Sequence, residues 1–295
     1  MAQISDRAEE LTALMNSLVA EDGIFDTSWP GLQVARFSAP QARSPMPYKA
    51  SICFAIQGQK RVFLGEKIYT YDPFNYLVVP MAMPLDLEIT QASEQKPLLG
   101  LALEFDLTML SELLLNINTP TKMVSQKQPA LFVSPISFNV QDALIRLLRL
   151  LNKPADLQVL GAAIVREIYY WVLQGEQGEQ LRHLLLRDSG SYRIVNLISY
   201  LNEHYTEQIS IDEIAQIANM STSALHQKFR DVTCMSPLQY LKKIRLHNAR
   251  ILMVEHGIKA SDAGFKVGYT NPSQFSREFK RLFGLPPVQM VKTLV

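Results

Sequence analysis

The sequence predicts an α+β protein of two parts, a small N-terminal β-barrel or sandwich with helices and a C-terminal all-α domain. Three observations predict this division. Short β-branched runs recur about every ten residues between positions 24 and 105, helical patterns occupy most of the remaining chain, and the charge balance reverses near residue 190. A chain of 295 residues is also longer than most single domains, which favours two.

The β-rich region is predicted from seven short runs of apolar and β-branched residues separated by Pro, Gly and Asn. These runs are LQVARF, SICFAIQG, KRVFLG, KIYTY, NYLVVP, LDLEIT and LLGLALEF. Short strands with this spacing are typical of a small barrel or of two packed sheets. Helices are predicted at residues 3–20, 107–117, 136–151 and 156–174, where they pack on the barrel or on a second subunit.

Composition excludes several protein classes. No apolar run approaches the roughly 18 to 20 residues that a membrane span needs, and the N-terminus is acidic, unlike a signal or transit peptide. We therefore expect a soluble, cytoplasmic protein without a membrane partner. Cys53 and Cys234 are the two cysteines, too few for a disulfide framework, and both are expected to be free thiols.

The net charge of +1 conceals a difference between the two parts of the chain. Residues 191–295 contain 13 Lys and Arg against 8 Asp and Glu, whereas residues 1–190 contain 16 against 20. The stretches LQGEQGEQ, after Trp171, and RDSGS lie near this change and are the predicted linkers. The predicted domains are residues 1–180 and 187–295, and the basic excess of the second indicates a phosphate-bearing partner.

The C-terminal part contains an internal repeat in which each copy has the layout of a helix-turn-helix. IDEIAQIANMS followed by STSALHQKFRDVTC is the first copy, and SDAGFKVGYTN followed by PSQFSREFKRLFG is the second. Phe229 aligns with Phe279 at an offset of 50. Asn219 aligns with Gly268 at an offset of 49, and both residue types tolerate the left-handed backbone of a tight turn.

The two units, predicted at about 211–233 and 260–283, are joined by one long helix between Ser236 and Gly257. About 20 helical residues at 1.5 Å each span about 30 Å, and successive major grooves on one face of DNA lie about 34 Å apart. We therefore expect both second helices to enter adjacent major grooves, with DNA bending making up any mismatch. Capping residues are predicted before three helices: Ser210, Ser236 and Asn271.

Each second helix has an apolar arc opposite a polar arc. Phe275, Phe279 and Phe283 are assigned to the core, because aromatic residues at i and i+4 beside a basic face pack inward more often than they stack on bases. In the polar arcs, Arg277 suits guanine, and Gln227 or Gln274 suits adenine. His226 is either a base or phosphate contact or a solvated surface residue. The predicted phosphate contacts are Arg230, Lys280 and Arg281.

The C-terminal third resembles the AraC-type (AraC/XylS) transcription regulators. ISIDEIAQIANMSTSALHQKF, SPLQYLKKIRLHNARILM and VGYTNPSQFSREFKRLFGLPP carry this resemblance over about residues 191–295. The resemblance implies base contacts by Ser223, His226, Gln227, Ser273, Gln274 and Arg277. The chain departs from the family pattern at Ala263 and Gly264, where a branched residue and Ala are usual, and at Cys234, where Gly is common. These departures predict a less tightly packed second unit.

The N-terminal part resembles the AraC-type regulator N-terminal domain through three stretches, PGLQVARFSAP, SICFAIQGQKRVFLGEKIYTYDPFNYLVVP and REIYYWVLQGEQGEQLR. The resemblance implies a cupin-like barrel that senses a signal or supports dimerisation. Cys53 is either a sensor thiol lining this barrel or a buried apolar residue, and Tyr69, Tyr71 and Tyr76 either line a pocket or pack in the core.

Metal-dependent catalysis is the main enzymatic alternative, because cupin-like barrels can be oxygenases or isomerases. The first histidine of the chain is His183, in the linker, so the predicted barrel has no imidazole for a conventional metal site. Hydrolase, NTPase and dinucleotide motifs are absent as well. We therefore expect no enzymatic activity and no cofactor.

The sequence predicts a regulator that binds double-stranded promoter DNA and either activates beside RNA polymerase or represses by occupying the promoter. A small-molecule effector and a homodimer are further expected partners. Two alternatives remain open. In one, the barrel only dimerises the regulator. In the other, the protein is an architectural protein that binds DNA with little preference among sequences.

Overall fold

A computed structural model describes residues 2–117, 130–185 and 190–294, with side chains from residue 7 to residue 292. Its ten strands within these ranges are β1 Gly23–Asp26, β2 Leu32–Phe37, β3 Gln41–Tyr48, β4 Ser51–Gln57, β5 Gln59–Leu64, β6 Lys67–Tyr71, β7 Asn75–Val79, β8 Met83–Gln91, β9 Leu98–Glu104 and β10 Phe132–Pro135. The helices within them are α1 Ala2–Leu18, α2 Leu107–Asn116, α3 Phe138–Leu150, α4 Pro154–Gln174, α5 Gly178–Leu185, α6 Gly190–Glu203, α7 Ile211–Ile217, α8 Thr222–Thr233, α9 Pro237–Val254, α10 Ala260–Lys266, α11 Pro272–Phe283 and α12 Pro287–Leu294.

The strands form two antiparallel sheets. One has the order β1-β2-β9-β4-β7-β10 and the other the order β3-β8-β5-β6. The seven runs identified in the sequence correspond to β2 and β4 to β9. The three strands that the sequence did not indicate, β1, β3 and β10, all lie at sheet edges. β3 contains Pro45 and Pro47, and an edge strand tolerates proline because one side of its backbone needs no partner.

The six-stranded sheet separates two apolar cores. Along β4, Ile52, Phe54 and Ile56 face the core that contains residues of α1, α3 and α4. Cys53 and Ala55 point the other way, into the space between the two sheets. The smaller face of β4 therefore lines the barrel interior, and the larger face supports the helices.

The helical predictions agree with α1, α2, α3 and α4 to within about three residues. The predicted linker LQGEQGEQ is largely helical, since α4 extends to Gln174 and α5 begins at Gly178. Most of RDSGS lies outside the described residues. Apolar residues of α5 and α6, among them Leu184 and Ile194, continue the barrel's inner core into the C-terminal helices.

Both predicted helix-turn-helix units are present, as α7 with α8 and α10 with α11. Asn219 has φ 51° and Gly268 has φ 91°, so both turn residues adopt the predicted left-handed conformation. The three predicted capping residues accept hydrogen bonds from backbone N–H groups in the first turns of their helices: Ser210, Ser236 and Asn271. The joining helix α9 has 18 residues, which at 1.5 Å each is about 27 Å.

Gly264 lies where α11 crosses α10. A Cβ at this position would lie 3.0 Å from ring carbons of Phe275, so the ring occupies the space that a side chain would need. Phe275 is 1% exposed and Phe279 is fully buried. The expectation of looser packing in the second unit is therefore not met at this crossing, because the aromatic ring compensates for the missing methyl group.

Cys234 ends α8 in the left-handed conformation, with φ 56°. This geometry explains why glycine is favoured here, since a Cβ disfavours left-handed backbone. Its Cβ also lies 3.2 Å from the position of a Cβ on Gly65, in the turn between β5 and β6.

Helix α9 connects the two units to each other and to the barrel. The guanidinium of Arg245 donates to the carbonyl oxygens of Tyr205 and Glu207, in the turn after α6. The buried hydroxyl of Tyr240 donates to the carbonyl of Ala82 on the barrel, at 2.6 Å, and accepts from the amide of Asn202. One helix therefore holds three parts of the molecule together.

A buried carboxylate fastens α11 to α9. Glu278 is 8% exposed and accepts hydrogen bonds from Lys242 at 3.0 Å and Tyr269 at 2.8 Å. Burial works to raise the pKa of Glu278, but hydrogen bonds from Lys242, Tyr269 and Gln274 outweigh it and hold the pKa below its ordinary value. The carboxylate is therefore charged at neutral pH.

Gly268→Ala should destabilise the protein by about 3 kcal/mol, because φ is positive and the new Cβ would lie 2.5 Å from the carbonyl oxygen of Thr206. Gly257→Ala is the matched control, since Gly257 also has positive φ but no atom lies within 4 Å of the place that its methyl group would take. It should cost about 1 kcal/mol. Chemical denaturation measures both, and equal losses would contradict the role assigned to the contact with Thr206.

Glu278→Gln should lower the stability by about 1 to 2 kcal/mol at neutral pH, because a charge-assisted bond to Lys242 is lost. Since the folded-state pKa is depressed, the stabilisation is present above the ordinary value of 4.5 and disappears as the pH falls through the lowered value. Thermal unfolding across pH should therefore show the two proteins converging in acid. A difference that is independent of pH would exclude the ionic contribution.

Candidate nucleic-acid interface and barrel cavity

Helix α8 separates its residues into a buried and an exposed face. Leu225 and Phe229 are fully buried against α6 and α9, and the ring of Phe229 meets that of Tyr240 edge-on at 5.6 Å. Ser223, Gln227 and Arg230 are exposed, and His226 is half-buried. The polar face that the sequence predicted on the first unit is thus turned to solvent.

Helix α11 repeats this arrangement around its own aromatic anchor. Phe275 and Phe279 are buried, their ring centroids 5.6 Å apart, and Phe283 packs partly buried against them. Exposed side chains on the opposite face are Ser273, Arg277, Lys280 and Arg281, with Gln274 half-buried. Both units therefore present the predicted residues on a surface supported by apolar packing.

The side chains on these faces differ in how far neighbours already hold them. Gln227 donates to Asp231 at 2.8 Å and Gln274 donates to Glu278 at 3.3 Å, so both amides must turn to reach a base. Arg230, Arg277 and Lys280 make no hydrogen bond or ion pair with any residue that the structure describes. These three cations are available to an anionic partner without breaking an internal contact.

A cavity of about 280 Å³ lies between the two sheets of the barrel. Apolar residues of the inner core such as Met46, Leu87 and Ala102 form part of its wall. At its mouth, the ammonium of Lys49 donates to the carboxylate of Glu104. The cavity is close in size to the roughly 300 Å³ at the lower end of known small-molecule sites.

The structure brings together two of the four predicted sensor residues. Cys53 and Tyr71 line the cavity. Tyr69 lies outside its lining, and Tyr76 faces the helical core, where it packs against Phe54 at 5.7 Å. Burial raises the pKa of Cys53, so the thiol is protonated at neutral pH, which is opposite to the shift expected of a reactive cysteine.

Lys60 is a cavity residue that the sequence reasoning missed. It lies on the inward face of β5, in alternation with Val62 and Leu64, and is 9% exposed. The same alternation is visible in the run KRVFLG, which could have indicated an inward-facing lysine. Charged residues are so rarely buried that an exposed position is the default expectation.

A second, smaller cleft lies where the barrel meets the C-terminal helices. Tyr48, Met83, Asn202, Tyr240 and His247 are among its lining residues. Tyr48 also lines the barrel cavity. Residues of β3 therefore stand between the interior of the barrel and helix α9.

Two further properties concern the described part of the chain. No group of three or more His, Cys, Asp or Glu side chains within it is placed to hold a metal ion. Separately, none of the helices described is long and apolar enough to cross a membrane.

Comparison with curated proteins relates about a third of the chain to a known activator. The chain is 27% identical over 100 residues to the HTH-type transcriptional activator RhaS of Enterobacter sp. (strain 638), a match that covers 34% of this chain and 36% of RhaS. The chain thus matches about a third of the length of this relative.

Solved structures resemble the whole fold. An apo variant of ToxT from Vibrio cholerae strain SCE256 superposes with a TM-score of 0.61 and 11% identity, covering 92% of this chain and all of ToxT. Wild-type ToxT with a bound unsaturated fatty acid gives a TM-score of 0.59 and 10% identity, covering 93% and 98%. At this identity the likeness concerns the fold alone, and it extends over both domains.

Family comparison covers both parts of the chain. The family description "AraC-type transcriptional regulator N-terminus" matches residues 28–180, and a "Helix-turn-helix domain" matches residues 214–293. The first match alone spans more than half of the sequence. The chain therefore belongs to the family of AraC-type transcriptional regulators.

Proposed function

We propose that the protein is a sequence-specific regulator whose recognition helices α8 and α11 enter adjacent major grooves of promoter DNA. The observation that most supports this is the duplication, because two capped units on one helix each present a polar face backed by buried apolar residues. Helix α9, about 27 Å long, is somewhat shorter than the roughly 34 Å between grooves. A modest bend in the DNA makes up the difference.

The polar residues divide into two roles by their chemistry. Arg277 reads guanine with its planar fork, and Gln227 and Gln274 read adenine once their amides leave Asp231 and Glu278. Ser223, His226 and Ser273 contact neighbouring base edges. The phosphate contacts are Arg230, Lys280 and Arg281, which supply affinity and salt dependence.

Arg277→Ala should weaken binding to the preferred site by about 1 to 3 kcal/mol and relax the preference at one base pair. Lys280→Ala is the matched control on the same exposed face, and it should weaken all sites similarly and reduce the salt slope by about one. Selection from random DNA at physiological salt, followed by titrations at several salt concentrations, measures both. Equal effects on preference would contradict the division of roles, and no selected sequence would indicate an architectural protein.

We propose that the barrel cavity binds the effector of this regulator. Its lining is mostly apolar with a few polar groups, as in other small-molecule sites. The likeness to ToxT, which has been solved with a bound unsaturated fatty acid, favours a ligand-binding barrel. Activation beside RNA polymerase and homodimer formation complete the proposal. The alternative, a barrel that only dimerises the chain, predicts no change in DNA binding with any compound.

The signal has a direct route from the cavity to the DNA-binding helices. Tyr48 borders both the cavity and the cleft beside α9. The hydrogen bond from Tyr240 to Ala82 then connects α9 to the barrel. A ligand that moves β3 would shift this contact, and the packing of α5 on α6, through residues such as Leu184 and Ile194, is a second proposed connection.

Tyr240→Phe should reduce the response of DNA binding to an inducing compound, because the hydroxyl that joins α9 to the barrel is lost. The ratio of DNA dissociation constants with and without the compound should move towards one. Tyr200→Phe is the control, since its hydroxyl makes no hydrogen bond within the described residues. An unchanged ratio in Tyr240→Phe would exclude this hydrogen bond as the connection.

A further inference from the structure

The barrel interior contains one positive side chain that no described residue balances. Lys60 is more than nine-tenths buried, and its amino group makes no hydrogen bond or ion pair with the part of the chain that the structure describes. A buried ammonium without a counter-charge is strongly disfavoured. Burial accordingly lowers the pKa of Lys60, and a negatively charged partner would favour its protonated form.

A strand of the opposite sheet leaves room for this amino group. A Cβ on Gly100 of β9 would lie 3.1 Å from Nζ of Lys60. A larger residue there would push the tip of the lysine away from its position in the cavity wall. Glycine at this point therefore lets a long cationic side chain extend from one sheet across the cavity towards the other.

The tyrosine side chains around Lys60 carry no negative charge that could balance its ammonium group. Tyr71 lies directly opposite Lys60 in the β5–β6 pairing, and Tyr48 lines the same cavity. Burial raises the pKa of both tyrosines, so their hydroxyls remain protonated. The one carboxylate among the described lining residues, Glu104, is paired with Lys49. The thiol of Cys53 interacts electrostatically with Lys60, but burial raises the pKa of Cys53 and keeps it neutral.

We propose that the cavity binds a small organic carboxylate, with its anionic head on Lys60 and its apolar body along Met46, Leu87 and Ala102. One ammonium balances one carboxylate, whereas a phosphate dianion would leave a net charge in apolar surroundings. At roughly 30 Å³ per heavy atom, as in liquid water, the cavity holds about nine non-hydrogen atoms. The inference rests on the proposed sensory role of this cavity and names the chemical class of its ligand.

Calorimetric titration of the full-length protein with benzoate and hexanoate, against benzamide and hexanamide, tests the proposal. The amides match the acids in size but lack the charge, so each acid should bind at least about tenfold more tightly than its amide. Equal affinity for acid and amide, or no binding of either acid at millimolar concentration, would overturn the proposal.

Two substitutions locate the charge that the ligand uses. Lys60→Met keeps an unbranched side chain of similar length and should weaken carboxylate binding at least about tenfold. Lys49→Met, which removes an ammonium already paired with Glu104, should change it less than about threefold. A loss of binding in Lys49→Met with full binding in Lys60→Met would place the anion at the mouth and refute the assignment.

Gly100→Ala provides a second variant that keeps the charge. Because its methyl group would crowd Nζ of Lys60, carboxylate binding should weaken while amide binding changes little. Thermal unfolding confirms that each variant is folded before it is titrated. Retention of wild-type carboxylate affinity in Gly100→Ala would argue against a head group placed at Lys60.

These binding measurements separate the ligand class from the proposed function. If a carboxylate binds through Lys60 without changing DNA affinity, the proposed sensory role is wrong and the carboxylate site is supported. If a neutral compound changes DNA affinity and no carboxylate binds, the proposed ligand class is wrong and the regulatory function is supported.

Discussion

The fold depends on one constraint: helix α9 makes hydrogen bonds to the barrel, to the turn after α6 and to α11 at the same time. Tyr240 of α9 donates to the barrel, Arg245 donates to the turn after α6, and Lys242 donates to Glu278 of the second unit. These residues lie within six positions of each other, so a rotation of α9 that improves one contact weakens another. The positions of both recognition helices are therefore coupled to the barrel through short-range hydrogen bonds rather than through a flexible connection.

The DNA-facing and ligand-facing parts of the protein use charge in opposite ways. On α8 and α11 the cations are exposed and already hydrated, so they lose little when they exchange water for phosphate. In the barrel, Lys60 has lost its hydration on folding and has gained no counter-charge from the described residues. Surface cations give affinity that salt weakens, whereas a buried cation gives selectivity for the charge of a ligand.

Local sequence patterns predicted most helices, strands and turns. The features that the sequence did not indicate depend on contacts between residues far apart in the chain. Caps at Ser210, Ser236 and Asn271 and the left-handed turns at Asn219 and Gly268 involve neighbouring residues, and each is present as predicted. The edge strands, the inward position of Lys60 and the hydrogen bond from Tyr240 to Ala82 depend on partners far away in the chain. Such contacts produce no regular spacing of residues in the sequence, so sequence patterns do not reveal them. Cys53 and Tyr71 line the cavity whereas Tyr76 faces the helical core, because strand alternation divides residues between two faces but does not tell which face borders the cavity.

The two recognition helices are copies in structure but not in their exposed residues. At equivalent positions α8 presents Gln227 and α11 presents Arg277, which favour different bases. If the two helices read bases as proposed, the DNA site of one chain has a left and a right end, and the reversed site is a different sequence to the protein. A symmetric dimer on a palindrome binds in the same way in both orientations. A single chain with two different recognition helices binds in one orientation, so at a promoter shared by two divergent genes it would present one side of the protein to each gene.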